Sequence, residues 1–494
     1  MAHWRILSMR SGIFFSYSSV TRYFTITGQL CFVIAVLYNS SMRDKTTVDL
    51  LNGSPAKALA RLALPVIGAS FIQMLYNFTD LYWISSLGSS ALAAVGTGGT
   101  FLWMSEGFGL FARMGGQILT GQSYGRGDRE EVKRVAAVTL QLGLLLGLLV
   151  CLILVLGHKP LIAFFRFHEA DTVRYAERYL AIVALGVPFG FLTRILGGLL
   201  AACGNTRTTL QATLTGLTCN MILDPLFILV FGWGPAGAAA ATVLSQMLVF
   251  GLLVIGSRRT GLFSGIRLLQ RYPRHRYQAV LKLGVPSGLQ TMLYAGISIL
   301  LGRVVASFGD LQVAAQRVSS QIESLTWTVA DAFAVSINAF TAQNTAAGRP
   351  ERLRQGYRAS LGMSAAIGLL GMIIMVLFPN FVAGLFFHLP AEIAAARAYL
   401  IIVGLSQIFM CVEIMSSGTF AGLGNTLYPS VVVTSLTALR LPAAYALSAT
   451  ALAVTGVWWS ISLSSIVKGI VLFLSVEYVL RHRMGRIRAG GPQG

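Results

Sequence analysis

Charge is what this sequence has least of. Only 11% of its 494 residues are charged, against about 25% in an ordinary soluble domain. Because 55% of the residues are apolar, too few charges remain to cover the surface of a water-soluble protein of this length. The scarcity excludes a soluble enzyme and a disordered chain. It leaves an all-α polytopic membrane protein, built from helices of about 20 apolar residues each.

Cysteine and cofactor-binding motifs are also scarce. The chain has five cysteines, none in the C-x-x-C spacing of metal sites, and four of them lie within apolar stretches. We interpret them as small buried hydrophobic residues. The phosphate-binding pattern G-x-x-x-x-G-K-[ST] is missing, so ATP does not drive the protein directly. We expect no cofactor and no enzymatic activity.

Twelve apolar stretches of spanning length alternate with short polar breaks. The predicted spans are 60–86, 91–122, 135–156, 179–203, 207–231, 237–257, 280–307, 318–343, 359–378, 398–421, 428–453 and 457–479. A basic linker at 258–279 divides them into an N-lobe over 42–257 and a C-lobe over 280–480, and a basic tail follows at 481–494. An even number of spans places both ends of the lobes on the same side of the membrane.

The two lobes repeat one another. Paired landmarks recur at an offset of 220 or 221 residues: Pro65 and Pro286, Gln122 and Gln343, Tyr179 and Tyr399, Gly204 and Gly424. Since each lobe has six spans, both lobes run through the membrane in the same direction. This predicts a pseudo-two-fold axis along the membrane normal with a cavity between the lobes, a plan that transporters often have.

Lysine and arginine predict the orientation. The side that holds the linker carries 24 of these residues around its loops, and the other side carries six. Since basic residues are enriched in cytoplasmic loops, both termini are predicted to be cytoplasmic, in the inner membrane of a prokaryote. The alternative for a basic cluster is a lipid-headgroup site.

The first 41 residues form an unusual extension. They contain three arginines and no acid, and their apolar run at 30–38 is too short to span a membrane. Met42 stands just before a basic lead-in to the first span. We interpret Met42 as the true start, with a helix lying on the membrane surface as the alternative.

Acidic residues within the spans indicate where the chemistry lies, because a carboxylate in a membrane is costly. The deepest are Asp80, Glu106, Asp224, Asp331 and Glu413. Tyr76 precedes Asp80 by four residues, so the phenol and the carboxylate share a helical face. Asn220 and Asp224 repeat this spacing, and Pro225 then removes a backbone donor and frees a carbonyl near the acid.

Thr242 on the sixth span adds a hydroxyl group. Two carboxylates, an amide and a hydroxyl together form an oxygen cage that suits H⁺ or Na⁺. Two adjacent buried carboxylates also repel one another, so one of them takes up a proton readily. The alternative is that these acids form static ion pairs with Arg113 or Arg194.

The second lobe lacks this set. At the repeat offset, Arg440 stands where the N-lobe has Asn220, and Ala444 where it has Asp224. We therefore expect the cation site in the N-lobe alone. Glu413 and Arg440 form a candidate second polar site, in which Glu413 is neutral and hydrogen-bonded, paired with Arg440, or functional.

In these residues the chain resembles the multidrug and toxic compound extrusion (MATE) family, over roughly 50–479. The resemblance rests on Leu64-Pro65, Tyr76-x-x-x-Asp80, Gly121-Gln122, the Gly-Asn-Thr turns at Gly204 and Gly424, Asn220-x-x-x-Asp224-Pro225 and Arg440-Leu441-Pro442. It implies a cation-coupled drug antiporter that acts as a monomer. It further implies that Pro65 is the bending point of the first helix.

The resemblance also implies which branch of the family is nearest. Tyr76, Asp80, Asn220, Asp224 and Thr242 fall at the spacing of the N-lobe cation site in the archaeal and DinF-like branch. The NorM-like branch instead has a carboxylate on the seventh helix. This chain has no acid between Lys282 and Asp310.

Two other functions compete with the antiporter. A flippase for a lipid-linked saccharide or a phospholipid would need a basic cavity, and Arg113, Arg194, Arg303 and Arg440 keep it open. A major-facilitator carrier would need a Gly-x-x-x-Asp-Arg loop, which this chain lacks at that spacing. For the antiporter, cavity aromatics such as Tyr76, Tyr294 and Trp327 predict amphiphilic, often cationic substrates.

Overall fold

The computed structural model describes residues 47–482, apart from 168 and 267. The extension 1–41, the interpretation of Met42 and most of the basic tail lie outside the described residues. Within them the chain is α-helical, with one short π-helical segment, Leu226–Val230.

The helices follow the predicted spans and run several residues beyond most of them. In chain order they are α1 Pro55–Ser85, α2 Ser89–Gly125, α3 Arg129–Ala163, α4 Ala170–Ala184, α5 Val187–Ala202, α6 Arg207–Pro225, α7 Pro235–Arg259, α8 Arg274–Ala306, α9 Asp310–Ala346, α10 Pro350–Leu377, α11 Pro379–Gly384, α12 Pro390–Gly404, α13 Gln407–Gly422, α14 Leu427–Ala438, α15 Arg440–Ser448 and α16 Val454–His482. The first residues of several helices are ones that favour helix N-termini. Pro55, Pro235 and Pro350 are each the first residue of a helix, where the missing N–H costs nothing. The Asp128 carboxylate accepts from the Glu131 amide at 2.9 Å and so caps α3.

Two of the predicted spans are broken, one in each lobe. The axes of α4 and α5 meet at 45°, and those of α12 and α13 meet at 48°. Pro188, at the start of α5, has no N–H to continue the helix. At the second break, the Ser406 hydroxyl donates to the Val403 carbonyl at 2.8 Å. The breaks recur at matching places because the lobes are repeats of one unit.

Counting each bent pair as one span, ten segments of the described chain are long and apolar enough to cross a membrane. The 37-residue helices α2 and α9 are long enough to cross as well but are more polar. The predicted fold class is confirmed: twelve membrane-spanning helices form two six-helix lobes related by a pseudo-two-fold axis. We call α1–α7 the N-lobe and α8–α16 the C-lobe.

The hydrophobic cores show how the lobes meet. We call the side that holds the linker, the start of α1 and the end of α16 the linker face, and the opposite side the far face. At the far face, one core cluster contains only N-lobe residues, among them Trp83 and Phe191. Its counterpart contains only C-lobe residues, among them Ile297 and Trp458. The lobes are therefore separate at the far face.

At the linker face the cores cross between the lobes. The C-lobe cluster around Phe340 includes Leu59 and Leu62 from α1 of the N-lobe. The N-lobe cluster around Leu199 includes Val280 from α8 of the C-lobe. Since the lobes share apolar cores only at this face among the described residues, the cleft between them is closed at the linker face and opens at the far face.

Glycine permits the close crossing of α2 and α8 between the lobes. A Cβ on Gly284 would lie 1.8 Å from the carbonyl oxygen of Phe111, and one on Gly115 would lie 2.0 Å from that of Val280. Both obstacles are backbone atoms of the opposite helix, so neither can turn aside. The crossing therefore requires these two glycines.

We expect Gly284→Ala to lower the midpoint of thermal unfolding in detergent. Overpacking costs about 1–3 kcal/mol, which outweighs the gain of up to about 1 kcal/mol in helix propensity. Gly296→Ala on the same helix is the matched control, because nothing lies within 4 Å of its Cβ position. Equal midpoints for the two variants would contradict the proposed crossing.

Candidate functional site

The five predicted cation-site residues converge inside the N-lobe. Tyr76 and Asp80 come from α1, Asn220 and Asp224 from α6, and Thr242 from α7. Asn220 and Asp224 are 1% and 0% exposed, and the carboxylates of Asp80 and Asp224 lie close enough for their charges to interact. The site thus joins three helices that are far apart in sequence.

One long hydrogen bond joins two of these helices. The Tyr76 hydroxyl lies 3.3 Å from Thr242 Oγ1, and the Thr242 hydroxyl donates to the Ala238 carbonyl at 3.0 Å. Because the threonine hydrogen is already committed, the phenol is the donor in the contact with Thr242. Tyr76 therefore reaches across to α7, although its spacing from Asp80 favours a contact along α1.

Several other polar atoms of the site make no hydrogen bond of normal geometry. These buried atoms are both carboxylate oxygens of Asp224, one oxygen of Asp80 and both amide atoms of Asn220, although the Asn220 side chain lies near enough to the Asp224 carboxylate to interact with it. Buried polar atoms are rarely left unpaired, because desolvation without a partner is costly. Unpaired oxygens from two carboxylates and an amide fit a proton or a small cation as the missing partner.

Tyr179 belongs to the same site and was not among the predicted residues. Its buried ring comes from α4, and its phenol lies within electrostatic range of both Asp80 and Asp224. The sequence did carry a signal, because Tyr179 is one of the landmarks that return in the C-lobe, as Tyr399. That signal showed a shared structural position but not which way the side chain points.

The arginines considered as static partners lie near other acids. Arg194 forms an ion pair with Glu106 at 2.6 Å, and Arg113 lies near Asp331 of the C-lobe. Within the described ranges, neither Asp80 nor Asp224 has a basic side chain within ion-pair distance. The alternative of static ion pairs at these two acids is wrong.

Glu413 and Arg440 are buried in the C-lobe but do not pair with one another. Arg440 donates to the hydroxyls of Ser464 at 3.0 Å and Ser465 at 2.9 Å. Glu413 instead forms an ion pair with Lys468 at 3.0 Å, with only 9% and 4% of the two side chains exposed. The alternative in which Glu413 pairs with Arg440 is wrong, because Lys468 on α16 lies nearer.

Lys468 is the charge that sequence reasoning missed. It is the one basic residue of the predicted span 457–479, and the rule that intramembrane charges need partners applies to a lysine as much as to an acid. Glu323 completes this cluster. It accepts from the Tyr399 hydroxyl at 3.0 Å and lies near Arg440 and Lys468. The C-lobe therefore places two basic groups near buried Glu413 and half-buried Glu323.

The C-lobe positions that match the N-lobe site are mostly apolar. At the repeat offsets, Leu301 and Ala444 stand in place of the two aspartates, and Ile297 in place of Tyr76. All three are buried in the far-face cluster of the C-lobe. Apolar side chains therefore fill the positions that correspond to Tyr76, Asp80 and Asp224.

A cavity of about 730 Å³ lies between the lobes, within the range of small-molecule sites. It is bounded by α1, α2 and α6 of the N-lobe and by α9 of the C-lobe. Its walls include Pro65, Gln73, Met74, Asn77, Leu81, Trp103, Thr213, Gln321, Ser324 and Trp327. Trp327 thus lines the cavity, whereas Tyr76 is buried inside the N-lobe.

A conventional metal centre does not occur in the described part of the chain, where no group of three or more His, Cys, Asp or Glu side chains converges. The N-lobe site combines two carboxylates with amide, hydroxyl and phenol groups. Such a site suits H⁺ or Na⁺ rather than a tightly held transition metal.

Similar proteins are multidrug transporters. The chain is 26% identical over 79% of its length to a probable multidrug resistance protein NorM of Thermotoga maritima, covering 85% of that protein. It is 28% identical over 89% of its length to the probable multidrug resistance protein YpnP of Bacillus subtilis, covering 98% of it. A solved MATE family transporter, described as outward-facing, has a TM-score of 0.80 at 25% identity and is covered completely by 90% of this chain.

The family model provides the strongest comparison. The MatE model matches residues 65–226 and again residues 286–446, so it falls once on each lobe, at the repeat offset of 221. The two matches together cover more than half of the chain. The chain therefore belongs to the MatE family of multidrug and toxic compound extrusion transporters.

Proposed function

We propose that this protein is a secondary active antiporter that exports amphiphilic organic compounds in exchange for H⁺ or Na⁺. The observation that carries the proposal is the unneutralised pair of half-buried Asp80 and buried Asp224, in a lobe whose first helix also lines the cavity. The named relatives are described as probable multidrug resistance proteins, and the ion coupling is our inference from this pair.

Helix α1 connects the two sites. Its buried face carries Tyr76 and Asp80 into the N-lobe, while Gln73, Met74 and Asn77 line the cavity. A change in charge at Asp80 therefore acts on the same rigid segment that contacts the substrate. Coupling needs only that ion and substrate prefer different states, by about 1–3 kcal/mol.

The transport cycle follows from this arrangement. A cation that reaches Asp80 and Asp224 removes the repulsion between them and changes the packing that α1 prefers. Pro65 lets α1 bend, because the Arg61 carbonyl receives no hydrogen bond from it. The bend moves Met74 and Asn77 into the cavity, and the substrate leaves through the open side of the cleft.

One cation site serves the whole protein in this proposal. The C-lobe acids Glu413 and Glu323 lie beside Lys468 and Arg440, so they have permanent counter-charges. A fixed ammonium group cannot be exchanged for an ion from solution. The C-lobe then acts as a rigid partner against which the N-lobe changes shape.

The basic residues assign the two faces. The linker face carries most of the loop lysines and arginines, and since such residues are enriched in cytoplasmic loops, we assign this face and both termini to the cytoplasm of a prokaryotic cell. The far face is then external, and the open cleft is outward-facing. In this outward-facing state the substrate leaves and the coupling ion binds.

Transport in vesicles tests the coupling. With purified protein in liposomes, we expect efflux of an aromatic cation such as ethidium when one ion gradient, H⁺ or Na⁺, is imposed alone. Without a gradient, only passive leakage should occur. Lack of efflux under either gradient would refute the antiporter.

The same vesicles separate the antiporter from the flippase. Transfer of a labelled phospholipid between leaflets, with no movement of ethidium, would support the flippase instead. The structure offers little to favour it, because Arg194 is paired with Glu106 and Arg113 lies near Asp331.

We further propose a monomer, in which each chain holds its own cavity and cation site.

A further inference from the structure

The segment that leads into α1 is bound by both lobes. We call residues 48–53 the first strap. Its Val48 amide donates to the Gly204 carbonyl of the N-lobe at 2.8 Å. The Leu50 side chain, 1% exposed, is buried in the C-lobe cluster at the linker face. The strap therefore crosses the boundary between the lobes just before the helix that carries Asp80.

C-lobe side chains hold the backbone of this strap. Asn344 Nδ2 donates to the Leu50 carbonyl at 3.1 Å. Arg352 donates from Nε to the same carbonyl at 3.1 Å and from Nη2 to the Asn52 carbonyl at 2.7 Å. Arg349 donates to the Leu51 carbonyl. Hydrogen bonds from a charged guanidinium are among the stronger ones that proteins make.

The segment that leads into α8, together with the first turn of that helix, is held by the N-lobe in the same manner. We call residues 268–277 the second strap. Gln141 of the N-lobe donates to the carbonyls of Leu268 at 2.6 Å and Gln270 at 2.9 Å. Arg276, at the start of α8, forms an ion pair with Glu131 of the N-lobe. Each lobe thus grips the lead-in to the first helix of the other lobe.

The reciprocity follows the internal repeat. Glu131 and Arg352 are 221 residues apart, the same offset that relates Gln122 and Gln343. These two positions contact opposite straps, although one side chain is acidic and the other basic. A hydrogen bond between the lobes themselves adds to the contacts of the straps. Gln343 Nε2 of the C-lobe donates to the Ala202 carbonyl of the N-lobe at 2.6 Å.

We propose that the two straps form a clasp that holds the linker face closed while the cleft is open at the far face. Its positioning residues are Glu131, Gln141, Asn344, Arg349 and Arg352. This inference rests on the alternating opening of the two faces in the proposed function. Release of the first strap would free the start of α1. Because α1 carries Asp80 near its other end, the clasp connects the closed linker face to the proposed cation site through this helix.

Hydrogen exchange of the purified full-length protein, without substrate or ion gradient, tests the clasp. We expect Arg352→Gln to raise exchange about tenfold at the end of α2, where Gly121 and Gly125 contact Ala342 and Gln343 of the other lobe. This factor corresponds to the loss of a charged hydrogen-bonding group. Exchange at the far-face start of α9 should fall, since the cleft closes there as the linker face opens.

Arg358→Gln is the matched control, because Arg358 lies on the same helix but is exposed. It should change neither region. Arg352→Lys keeps the positive charge but lacks the several N–H donors of the planar guanidinium group, so exchange should rise less than in Arg352→Gln. Gln141→Ala, which removes contacts to the second strap, should raise exchange as Arg352→Gln does.

A rise confined to residues 48–53, or the same rise in Arg358→Gln, would overturn the clasp. If Arg352→Gln fails to fold, Arg352→Lys and Gln141→Ala decide the question by the same criteria. Because no transport is measured, a protein that exported nothing could still show the clasp.

Discussion

Asp80→Asn should abolish gradient-driven export while the protein still folds and reaches the membrane. The substitution keeps the size and hydrogen-bonding capacity of the side chain but fixes it as neutral, so that cation binding no longer changes the charge on α1. Loss of a typical coupling free energy of about 1–3 kcal/mol corresponds to about 5–150-fold in the linked affinities. Ethidium efflux from vesicles should fall to the level of protein-free controls, and Asp224→Asn should behave likewise.

Glu477→Gln is the control for this prediction, because Glu477 lies near the end of α16 and pairs with Arg481 at 3.2 Å. It should retain export. The unfolding temperature of Asp80→Asn should be no lower than that of the wild type, since the substitution removes repulsion between two buried acids. Full export by Asp80→Asn at a normal expression level would disprove the coupling site.

Lys468→Met should destabilise the protein by about 3–5 kcal/mol, because it leaves the Glu413 carboxylate buried without a counter-charge. Replacing both partners, as Lys468→Met with Glu413→Gln, should restore most of the loss. Removal of a whole buried ion pair is often neutral or stabilising. Thermal unfolding in detergent measures both effects, and the double variant should still export ethidium.

An exposed ion pair provides the comparison. Lys133 and Glu130 are 2.8 Å apart, but 29% and 68% of their side chains are exposed. Lys133→Met should therefore cost less than about 1 kcal/mol. Should the double variant lose export while remaining stable, the C-lobe pair would be part of the ion pathway and not a fixed counter-charge.

These two predictions describe an asymmetry between lobes that share one fold. In the N-lobe, Asp80 and Asp224 lack basic partners within ion-pair distance, whereas in the C-lobe Glu413 and Glu323 each lie near a basic side chain. Buried charges need compensation, so in the proposed antiporter the N-lobe takes its compensating charge from solution. The proposal therefore assigns the exchangeable ion to the N-lobe.

Much of the fold could be predicted from sequence because its determinants are local or repeated. Spans of apolar residues predict helices whatever their partners are, since a membrane offers no water to unpaired backbone groups. The offset between Pro65 and Pro286 related the halves, and six spans in each required that they run in parallel. The acids Asp80 and Asp224 could be singled out because charge within a span is costly wherever it lies.

Contacts between distant helices could not be predicted in this way. The i, i+4 rule places Tyr76 and Asp80 on one face, but the phenol bonds to Thr242, 166 residues away. Glu413 could pair with any basic group within reach. Only the packing of α13 against α16 selects Lys468 rather than Arg440.

The sequence by itself determined the membrane class, the two-lobe repeat, the predicted orientation and the acids of the N-lobe, because each depends on composition, spacing or period along the chain. The tertiary structure decided which side of the cleft is open, the place of Tyr179 in the cation site, the compensation of Glu413 by Lys468, and the crossed straps. These features depend on how each helix is rotated about its axis and which neighbour it meets. Such choices are made by the packing of the whole molecule, and no local pattern records them.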